Sequence, residues 1–532
     1  KPGDENFLIQ LMEGVEDIPG TALHEGIDWE WETFPEFLDA IERKEFVMDL
    51  GFMIGHGPVR SYVMGYDRCQ NQVDASKDEI NQMSEIVEKA INAGALGFST
   101  SRTILHRDVH GVYVPGTEAS SEEMKELAFA VDRAGEGTLE IVSDWLDQEI
   151  EMSWMKEYVE KSDCGLTVLQ TNGDSVKTIL YCEEQFLKGK NVRPQFPGRN
   201  VGLMFGLESS LHPFIGHPSY KDIAHLPLNE RLSIMRDPAF KQKILNESPS
   251  FREDLQKAAK EQKSNKTKEE IKAEAEIGKK LISNYETQFI LSDPPNYEPT
   301  REDSIAYLAE QRNQSEEEVI YDELIKDDGK SLIYACFTPY ENHKLKFVET
   351  FYKLKSSVAG GSDGGAHCGL ICDASMPTTN LSHWARDRSA GNKIPLELII
   401  RKQTKDTAET YGLFDRGEIK TGMIADINII DFEKLNVSLP KMIFDLPKGG
   451  KRLVQESFGY LATIKSGEVV YENGQATGTL PGQVIRGKQT SEAKDTKEKI
   501  SFYDRTVRLF AVKLLRLFWA LRNKPVKSTV IS

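Results

Sequence analysis

The sequence predicts an α/β fold built around a barrel, followed by a small β domain. Between residues 94 and 205, short apolar runs alternate with amphipathic stretches, a rhythm that is typical of parallel β/α units. Polar side chains follow several of the apolar runs, as they do at the carboxyl-terminal face of a barrel, where such proteins keep their sites. Beyond residue 416, alternating strand patterns replace the helical periodicity.

Composition narrows the class of protein. The 532 residues are 39% hydrophobic and 28% charged, as expected of a globular protein with a large core. A net charge of −18 argues against nucleic acid as a partner. Six cysteines without a CxxC pair predict a reducing compartment and hence a cytoplasmic location. The chain starts at Lys1 without Met, and we expect the natural protein to extend further upstream.

The first part of the chain contains one predicted helix and one predicted strand. Apolar residues three to four apart predict a helix over Phe34–Glu42, and residues 46–54 have the pattern of a buried strand. This strand leads to His56, which lies between two glycines. A histidine in such a place is a candidate for binding substrate or another ligand, and a helix-capping or buried structural histidine is the alternative.

The next stretch is rich in basic side chains. A predicted helix at residues 76–93 leads to a short strand and then to Arg102. A guanidinium group offers a planar fork that suits a carboxylate, so Arg102 is a candidate for binding substrate, with a surface ion pair as the alternative. His106 and His110 have the spacing of metal ligands on a helix, but the glycines and proline that follow predict a loop.

Regular β/α alternation follows. Helices are predicted at residues 121–134, 148–161 and 175–188, and strands at residues 139–144, 166–170 and 201–205. A Lys- and Glu-rich segment with almost no apolar stripe predicts a charged helical insertion at about residues 236–290. A strand at residues 332–336 and a helix at residues 343–354 then resume the pattern. The polar residues at the predicted strand ends are His56, Ser99, Asp144, Gln170 and Asp363.

The most distinctive stretch is the glycine-rich segment at residues 360–369, GGSDGGAHCG. Glycines let the backbone turn sharply and come close to a ligand. Asp363, just past an apparent strand, is therefore the candidate catalytic group, and an Asx-type turn is the alternative. His367, four residues further on, is a candidate for orienting the substrate.

A second group of possible ligands begins in the same segment. It consists of His367, Cys368, Cys372, Asp373 and His383. Nitrogen and sulfur ligands this close in sequence suit zinc. A turn histidine with two small buried cysteines is the alternative.

The C-terminal part of the chain divides into two regions beyond a barrel at residues 1–416. Residues 417–487 predict a small β domain, in which a Ser466-Gly467 turn joins two alternating runs. Residues 488–532 predict a linker and a basic amphipathic helical tail at residues 504–524. Such a helix is typical of a peripheral membrane contact or a contact with a partner protein, and packing on the acidic body is the alternative.

Four parts of the chain together resemble a known family. Residues 94–102 with 114–117, residues 361–369, residues 402–413 and residues 422–431 are similar to the N-acyl-D-amino-acid deacylases (D-aminoacylases) of the amidohydrolase superfamily. The resemblance implies a distorted (β/α)8 TIM-type barrel with a small C-terminal β domain. It also implies zinc and the hydrolysis of a C–N amide bond other than a peptide bond in a small N-acyl amino acid. Asp363 takes the position of the aspartate that activates water and returns its proton to the leaving amine.

The chain departs from this family at the metal ligands. The family's His-x-His pair and early cysteine would lie upstream of Lys1, so the chain matches the family without its N-terminal part. Ser143-Asp144 and Gln170 stand where two further strand-end histidines are expected; Asp144 offers an oxygen ligand, whereas glutamine is a poor ligand for zinc. The alternative to the enzyme is therefore a non-catalytic amidohydrolase-fold protein that binds or scaffolds. Cyclic-amidase or deaminase chemistry on the same barrel is a third possibility.

Overall fold

The computed structural model describes residues 3–145, 147–171, 176–249, 282–490 and 500–522. Its α-helices are Glu5–Glu16, Gly20–Gly26, Phe34–Glu42, His56–Met64, Tyr66–Gln70, Lys77–Asn92, Ser121–Ala134, Gln148–Lys161, Val176–Leu187, Pro218–Ile223, Leu228–Met235, Pro238–Leu245, Ile305–Arg312, Glu316–Leu324, Lys346–Lys353, Met376–Ser382, Leu396–Gln403, Lys405–Thr410 and Phe502–Arg522. Most of the predicted charged insertion lies outside the described residues, as does the end of the predicted tail, including Lys524.

The main sheet consists of six parallel strands. In spatial order they are Ile54–Gly55, Gly97–Arg102, Thr138–Ser143, Gly165–Leu169, Val192–Pro197 and Val358–Gly360. Helices connect successive strands along the chain, as the alternating pattern predicts. Because all six strands run in the same direction, the residues that follow them lie along one edge of the sheet.

The core of this part lies between the sheet and its helices. Helix Lys77–Asn92 begins with a capping box formed by Ser76 and Glu79, which satisfies backbone donors at its first turn. Apolar side chains at helical spacing then point to the sheet, and each contributes roughly 1.5–3 kcal/mol by leaving water. Fully buried members of this cluster are Met83, Val87, Phe98, Leu127, Val131, Leu139 and Ile141.

A separate antiparallel sheet corrects one prediction. Residues 201–205 do form a strand, but Val201–Phe205 pairs antiparallel with Ile333–Thr338, to which Gln288–Ile290 also pairs. The place in the parallel sheet belongs instead to Val192–Pro197. This strand carries polar and proline residues that hide its strand character, although all six of its residues are buried.

The region around residue 50 is also more broken than predicted. Residues 46–54 do not form one buried strand, because Met48 is 62% exposed and the segment divides between two sheets. Leu50–Gly51 pairs with Val484–Ile485 near the other end of the chain, and Ile54–Gly55 opens the parallel sheet. The chain crosses from the small β region into the barrel here.

The C-terminal region is antiparallel, as its sequence pattern predicts, apart from Val484–Ile485, which pairs in parallel with Leu50–Gly51. Its strands are Ile427–Ile430, Asn436–Val437, Lys441–Leu446, Gly450–Val454, Ser457–Phe458, Tyr460–Lys465, Glu468–Glu472 and Gln475–Ala476. The Ser466-Gly467 turn has φ values of 53° and 85°, the left-handed backbone that a tight hairpin of this kind needs. Within the described ranges, no helix is long and apolar enough to cross a membrane.

Candidate active site

The glycine-rich segment forms a turn directly after the last parallel strand. Val358–Gly360 ends the strand, and Asp363 and His367 then adopt φ values of 40° and 49°. Non-glycine residues rarely occupy this region, and they cluster where a site requires a particular backbone. Asp363 is exposed at the carboxyl-terminal edge of the sheet, where the sequence places the catalytic group. We call residues 361–369 the glycine turn.

The first helix of the chain is tied to this turn. The backbone N–H of Cys368 donates to the carbonyl oxygen of Glu16 at 3.1 Å, and that of Gly369 donates to Asp17 Oδ2 at 3.1 Å. Asp17 Oδ1 also accepts from the hydroxyl of Ser210 at 2.8 Å. His367 Nε2 lies 3.8 Å from a carboxylate oxygen of Glu16. Residues far upstream in sequence therefore hold the conformation of the glycine turn.

A serine and a histidine meet at the end of the second parallel strand. Ser101 Oγ and His106 Nδ1 are 2.7 Å apart. Burial lowers the pKa of His106 to about 4, and the nearby His367 acts in the same direction. His106 is therefore neutral at pH 7. It lies close enough to the glycine turn for the charge of His367 to lower its pKa further. His110, its partner in the predicted pair, is exposed and donates its backbone N–H to Asp108 at 2.8 Å.

The barrel interior contains a carboxyl group that sequence reasoning missed. Glu140 accepts hydrogen bonds from the hydroxyl of Tyr411 at 2.9 Å and from Gln195 Nε2 at 3.1 Å. Burial raises the pKa of Glu140, these two hydrogen bonds oppose the rise, and the charge of Asp363 adds to it. The buried Glu140 is thus close enough to the glycine turn for the charge of Asp363 to raise its pKa. An acidic residue at an inward-facing position of strand Thr138–Ser143 is the signal that could have identified Glu140.

His56 lies inside the protein rather than in a loop at its surface. It is the first residue of helix His56–Met64, and its side chain is 1% exposed. Its Nδ1 is 2.9 Å from Thr100 Oγ1, and its Nε2 is 2.9 Å from a carboxylate oxygen of Glu123. Burial lowers the pKa of His56, against the effect of Glu123. Both ring nitrogens therefore have protein partners.

Arg102 is likewise bound to protein groups. Its Nε donates to Glu151 Oε1 at 2.8 Å, and its Nη2 lies 2.7 Å from the same oxygen. Its Nη1 donates to the carbonyl oxygen of Ala119 at 2.9 Å and to that of Gly116 at 3.3 Å. This arrangement connects the end of strand Gly97–Arg102 to the loop that follows it and to helix Gln148–Lys161.

The strand-end residues do not gather into a metal site. Asp144 accepts from the hydroxyl of Thr103 and from the backbone N–H of Ile104, each at 2.7 Å. Gln170 donates its amide N–H to the carbonyl oxygen of Leu169 at 2.8 Å. Across the part of the chain that the structure describes, no three His, Cys, Asp or Glu side chains lie together as metal ligands. The residues described here do not fit the zinc that the resemblance implies.

The second predicted cluster is dispersed as well. Burial raises the pKa of the Cys372 thiol to about 12, as expected of a small cysteine in apolar surroundings. Asp373 Oδ1 accepts from Arg199 Nη2 at 2.9 Å, and His383 Nε2 is 3.0 Å from Glu298 Oε2. Arg199, which follows the unpredicted strand Val192–Pro197, is a further strand-end residue that sequence reasoning missed.

Comparisons with known proteins agree with the fold. Residues 347–471 match the model of the amidohydrolase family. A D-aminoacylase of Alcaligenes xylosoxydans xylosoxydans is 30% identical over 120 residues, which are 23% of this chain and 22% of that protein's length. An uncharacterised protein of Mycobacterium bovis is 20% identical over 473 residues, covering 84% of this chain and 72% of the relative.

A solved structure extends the likeness to almost the whole chain. A D-aminoacylase, studied for the role of its binuclear metal centre, superimposes with a TM-score of 0.50 and 17% identity. The match covers 91% of this chain and 87% of that one. The predicted fold class, a distorted barrel of parallel strands with a small C-terminal β domain, is therefore confirmed. The chain resembles the amidohydrolases of the D-aminoacylase type.

Proposed function

We propose that the chain is a hydrolase of the D-aminoacylase type, which cleaves a C–N amide bond other than a peptide bond in a small N-acyl amino acid. The observation that carries the proposal is the position of Asp363. It is exposed just beyond the last strand of the parallel sheet, within the segment that matches the amidohydrolase family. This is the edge at which barrel enzymes keep their catalytic groups.

In this proposal, Asp363 acts first as the general base and then as the general acid. Its carboxylate accepts a proton from the water that attacks the acyl carbon, and it returns that proton to the nitrogen of the leaving amine. His367, on the same turn, orients the substrate, and the contacts of Glu16 and Asp17 hold the turn in place. Arg102 supports the rim of the site through its contact with Glu151. His56 supports the interior through its contact with Glu123.

The metal of the structural relative does not transfer to these residues. That D-aminoacylase has a binuclear metal centre. For this chain, zinc is what the resemblance of its sequence implies. The two carboxylate oxygens of Asp144 accept hydrogen bonds from Thr103 and Ile104, and the side-chain amide of Gln170 is a weak ligand for zinc. No step of the proposed reaction is therefore assigned to a metal.

A second candidate function follows from the lack of a metal-ligand cluster among the described residues. A barrel whose described residues gather no metal ligands, and whose His56 and Arg102 are held by protein carboxylates, also suits a protein that binds an amide without cleaving it. Such a protein would bind N-acyl amino acids in calorimetry and release no amine.

Amine release from a panel of N-acetyl-D-amino acids, N-acetyl-L-amino acids and dipeptides separates these candidates. The hydrolase proposal predicts turnover of the N-acetyl-D-amino acids in excess of the other two classes. Binding of the same compounds without amine release would favour the non-catalytic protein. Turnover of dipeptides alone would contradict both.

A further inference from the structure

Ser101 and His106 lie at the carboxyl-terminal end of the barrel and have no role in the proposed reaction. Ser101 is one residue from the end of strand Gly97–Arg102. Phe98 of the same strand is fully buried in the core between the sheet and its helices. Because side chains alternate along a strand, Ser101 points the other way, into the barrel. Its hydroxyl therefore faces the interior at the end where barrel enzymes bind their substrates.

The loop after this strand holds His106 in place. Arg107 donates from Nε to the carbonyl oxygen of Ile104 at 2.9 Å and from Nη1 to that of Gly111 at 2.8 Å. The backbone N–H of Val114 donates to the carbonyl oxygen of His106 itself at 3.2 Å. The ring of His106 is thus presented by an ordered loop, as precise contact with a ligand requires.

The first helix of the chain brings this loop next to the glycine turn. A Cβ at Gly14 would lie 2.3 Å from the carbonyl carbon of Asp108, so the helix and the loop approach closely only because this residue is glycine. Two residues later, the carbonyl oxygen of Glu16 accepts a backbone hydrogen bond from the glycine turn at 3.1 Å. The charge of His367 on that turn also lowers the pKa of His106. His106 and the glycine turn therefore border the same end of the barrel interior.

The ring of His106 has one nitrogen engaged and one left for a ligand. Ser101 Oγ lies 2.7 Å from Nδ1, and within the described ranges neither side chain has another hydrogen-bond partner. The hydroxyl hydrogen of Ser101 is satisfied only when it is donated to Nδ1, and the neutral ring then carries its own hydrogen on Nε2. Burial keeps the ring neutral at pH 7, since it lowers the pKa of His106 to about 4.

A bound amide requires a hydrogen-bond donor at its acyl oxygen. When water adds to the acyl carbon, electrons move onto this oxygen, and a donor already aimed at it lowers the barrier. Asp363 does not meet this need, because a carboxylate that acts as a base has no hydrogen to donate. A neutral imidazole is well suited, since it donates without placing a positive charge in a buried site.

The other donors at this end of the barrel are directed to carboxylates. Arg102 and His56 contact glutamates of neighbouring helices. Nε2 of His367 lies 3.8 Å from a carboxylate oxygen of Glu16. Nε2 of His106 differs from these groups, because no carboxylate among the described residues accepts from it. It is therefore the ring nitrogen best placed to serve a neutral acceptor.

We propose that His106 donates its Nε2 hydrogen to the acyl oxygen of the bound N-acyl amino acid, and that Ser101 fixes the ring in the form that donates. The inference rests on the proposed substrate class. As water adds, the electrons of the C=O double bond move to the acyl oxygen; they return when the C–N bond breaks, and the leaving nitrogen takes the proton from Asp363. His106 gains and loses no proton. It is a catalytic residue, whereas Ser101 is a positioning residue.

The test replaces the acyl oxygen of N-acetyl-D-amino acids by sulfur, a weaker hydrogen-bond acceptor. Calorimetry gives the dissociation constants of the oxygen and sulfur compounds, and amine release gives kcat. We expect the wild-type chain to bind the oxygen compound about threefold to tenfold more tightly, and His106→Ala to lose this preference. His106→Ala should also lower kcat for the oxygen substrate by roughly a hundredfold.

Two further variants separate this role from a structural one. Ser101→Ala keeps the ring but no longer fixes its hydrogen, so its preference for oxygen should fall between those of the wild type and His106→Ala. His110→Ala, at an exposed position of the same loop, is the matched control and should keep the wild-type preference. Circular dichroism of each variant shows whether the fold is retained, and Ser101→Ala provides the test if His106→Ala does not fold.

The outcomes distinguish this inference from the proposed hydrolysis. A wild-type preference for oxygen that His106→Ala or Ser101→Ala retains in full would overturn the role of His106, even if amine is released. Equal binding of the two compounds by the wild type would overturn it as well. Loss of the preference in the variants, without amine release by any of them or by the wild type, would support the role of His106 and refute hydrolysis. A wild-type chain that binds neither compound would refute both.

Discussion

The carboxylate of Asp17 accepts a hydrogen bond from the backbone N–H of Gly369 at 3.1 Å, across 352 positions of sequence. A second oxygen of the same carboxylate accepts from Ser210. Asp17 therefore fixes one end of the glycine turn whose other end carries Asp363. The conformation of the candidate site depends on the residue directly after the first helix of the chain.

Substitution of Asp17 by Ala should loosen this turn. The change leaves the N–H of Gly369 and the hydroxyl of Ser210 without their acceptor, so we expect a loss of about 1–3 kcal/mol in the free energy of unfolding. Urea denaturation measures it. Asp28→Ala is the control, because Asp28 is exposed and forms a long surface ion pair with Lys44 at 3.9 Å, which contributes little to stability. Equal stability of the two variants would show that Asp17 does not hold the turn.

Acid should destabilise the protein through His106. Its pKa is about 4 in the fold against 6.5 in the unfolded chain, so the unfolded state binds the proton first. The stabilising contribution is complete above about pH 6.5 and is lost as the pH falls toward 4, by roughly 1–3 kcal/mol. In His106→Asn the free energy of unfolding should depend less on pH over this range. His110→Asn, at an exposed position, is the control and should keep the wild-type pH dependence. If the free energy of unfolding of His106→Asn depended on pH as steeply as that of the wild type, the assignment to His106 would be contradicted.

The region around His383 is held by a buried ionic network. Arg388 Nε donates to Glu298 Oε2 at 2.8 Å, and its Nη1 donates to Glu349 Oε2 at 2.9 Å, with the arginine side chain 1% exposed. Burial alone would raise the pKa of Glu298, yet hydrogen bonds from His383 and Arg388 hold it at about 2. His383 is therefore a partner of a carboxylate in the core of the fold.

Removal of Arg388 should be strongly destabilising. Arg388→Met removes the buried guanidinium that bridges Glu298 and Glu349 and leaves these carboxylates with only His383 and with Lys346 and Lys353, respectively, as charged partners. We expect a loss of up to about 3–5 kcal/mol in the free energy of unfolding. Arg452→Met is the matched control, since Arg452 pairs with Asp445 at the surface and its loss should cost less than about 1 kcal/mol. A similar small effect in both variants would refute the structural role of the network.

Zinc should not stabilise the protein through the residues described above. Because His56, Asp144 and His383 are each engaged by protein groups, we expect the thermal midpoint to stay the same after chelation and after addition of zinc. Differential scanning fluorimetry with elemental analysis measures both. A rise in midpoint with stoichiometric zinc that Asp144→Asn abolishes would show that this carboxylate is a ligand.

Much of the fold could be predicted because its elements are strongly patterned. The helices at residues 121–134 and 148–161 begin and end where the apolar spacing predicts. Strand Val192–Pro197 could not be found in this way, since its buried residues include arginine, glutamine and two prolines. Residues 201–205 have the apolar run of a strand, but no local pattern tells a parallel partner from an antiparallel one.

The positions of the strand-end residues were predictable, whereas their contacts were not. Strand ends indicated where Arg102 and His56 would lie, but their partners Glu151 and Glu123 come from helices 49 and 67 residues away in sequence. Tertiary packing decides whether a strand-end side chain is free for a ligand or bound by a carboxylate. Asp363 differs from them because the turn leaves its side chain exposed.

The most direct test of the central claim is the rate of amine release from N-acetyl-D-amino acids by Asp363→Asn. We expect a fall of roughly a hundredfold or more, because the variant has no group to accept and return the proton. Asp163→Asn is the control, as Asp163 is exposed two residues before strand Gly165–Leu169, at the opposite edge of the sheet. Wild-type rates in Asp163→Asn and loss in Asp363→Asn would support the account, whereas equal rates in both variants would contradict it.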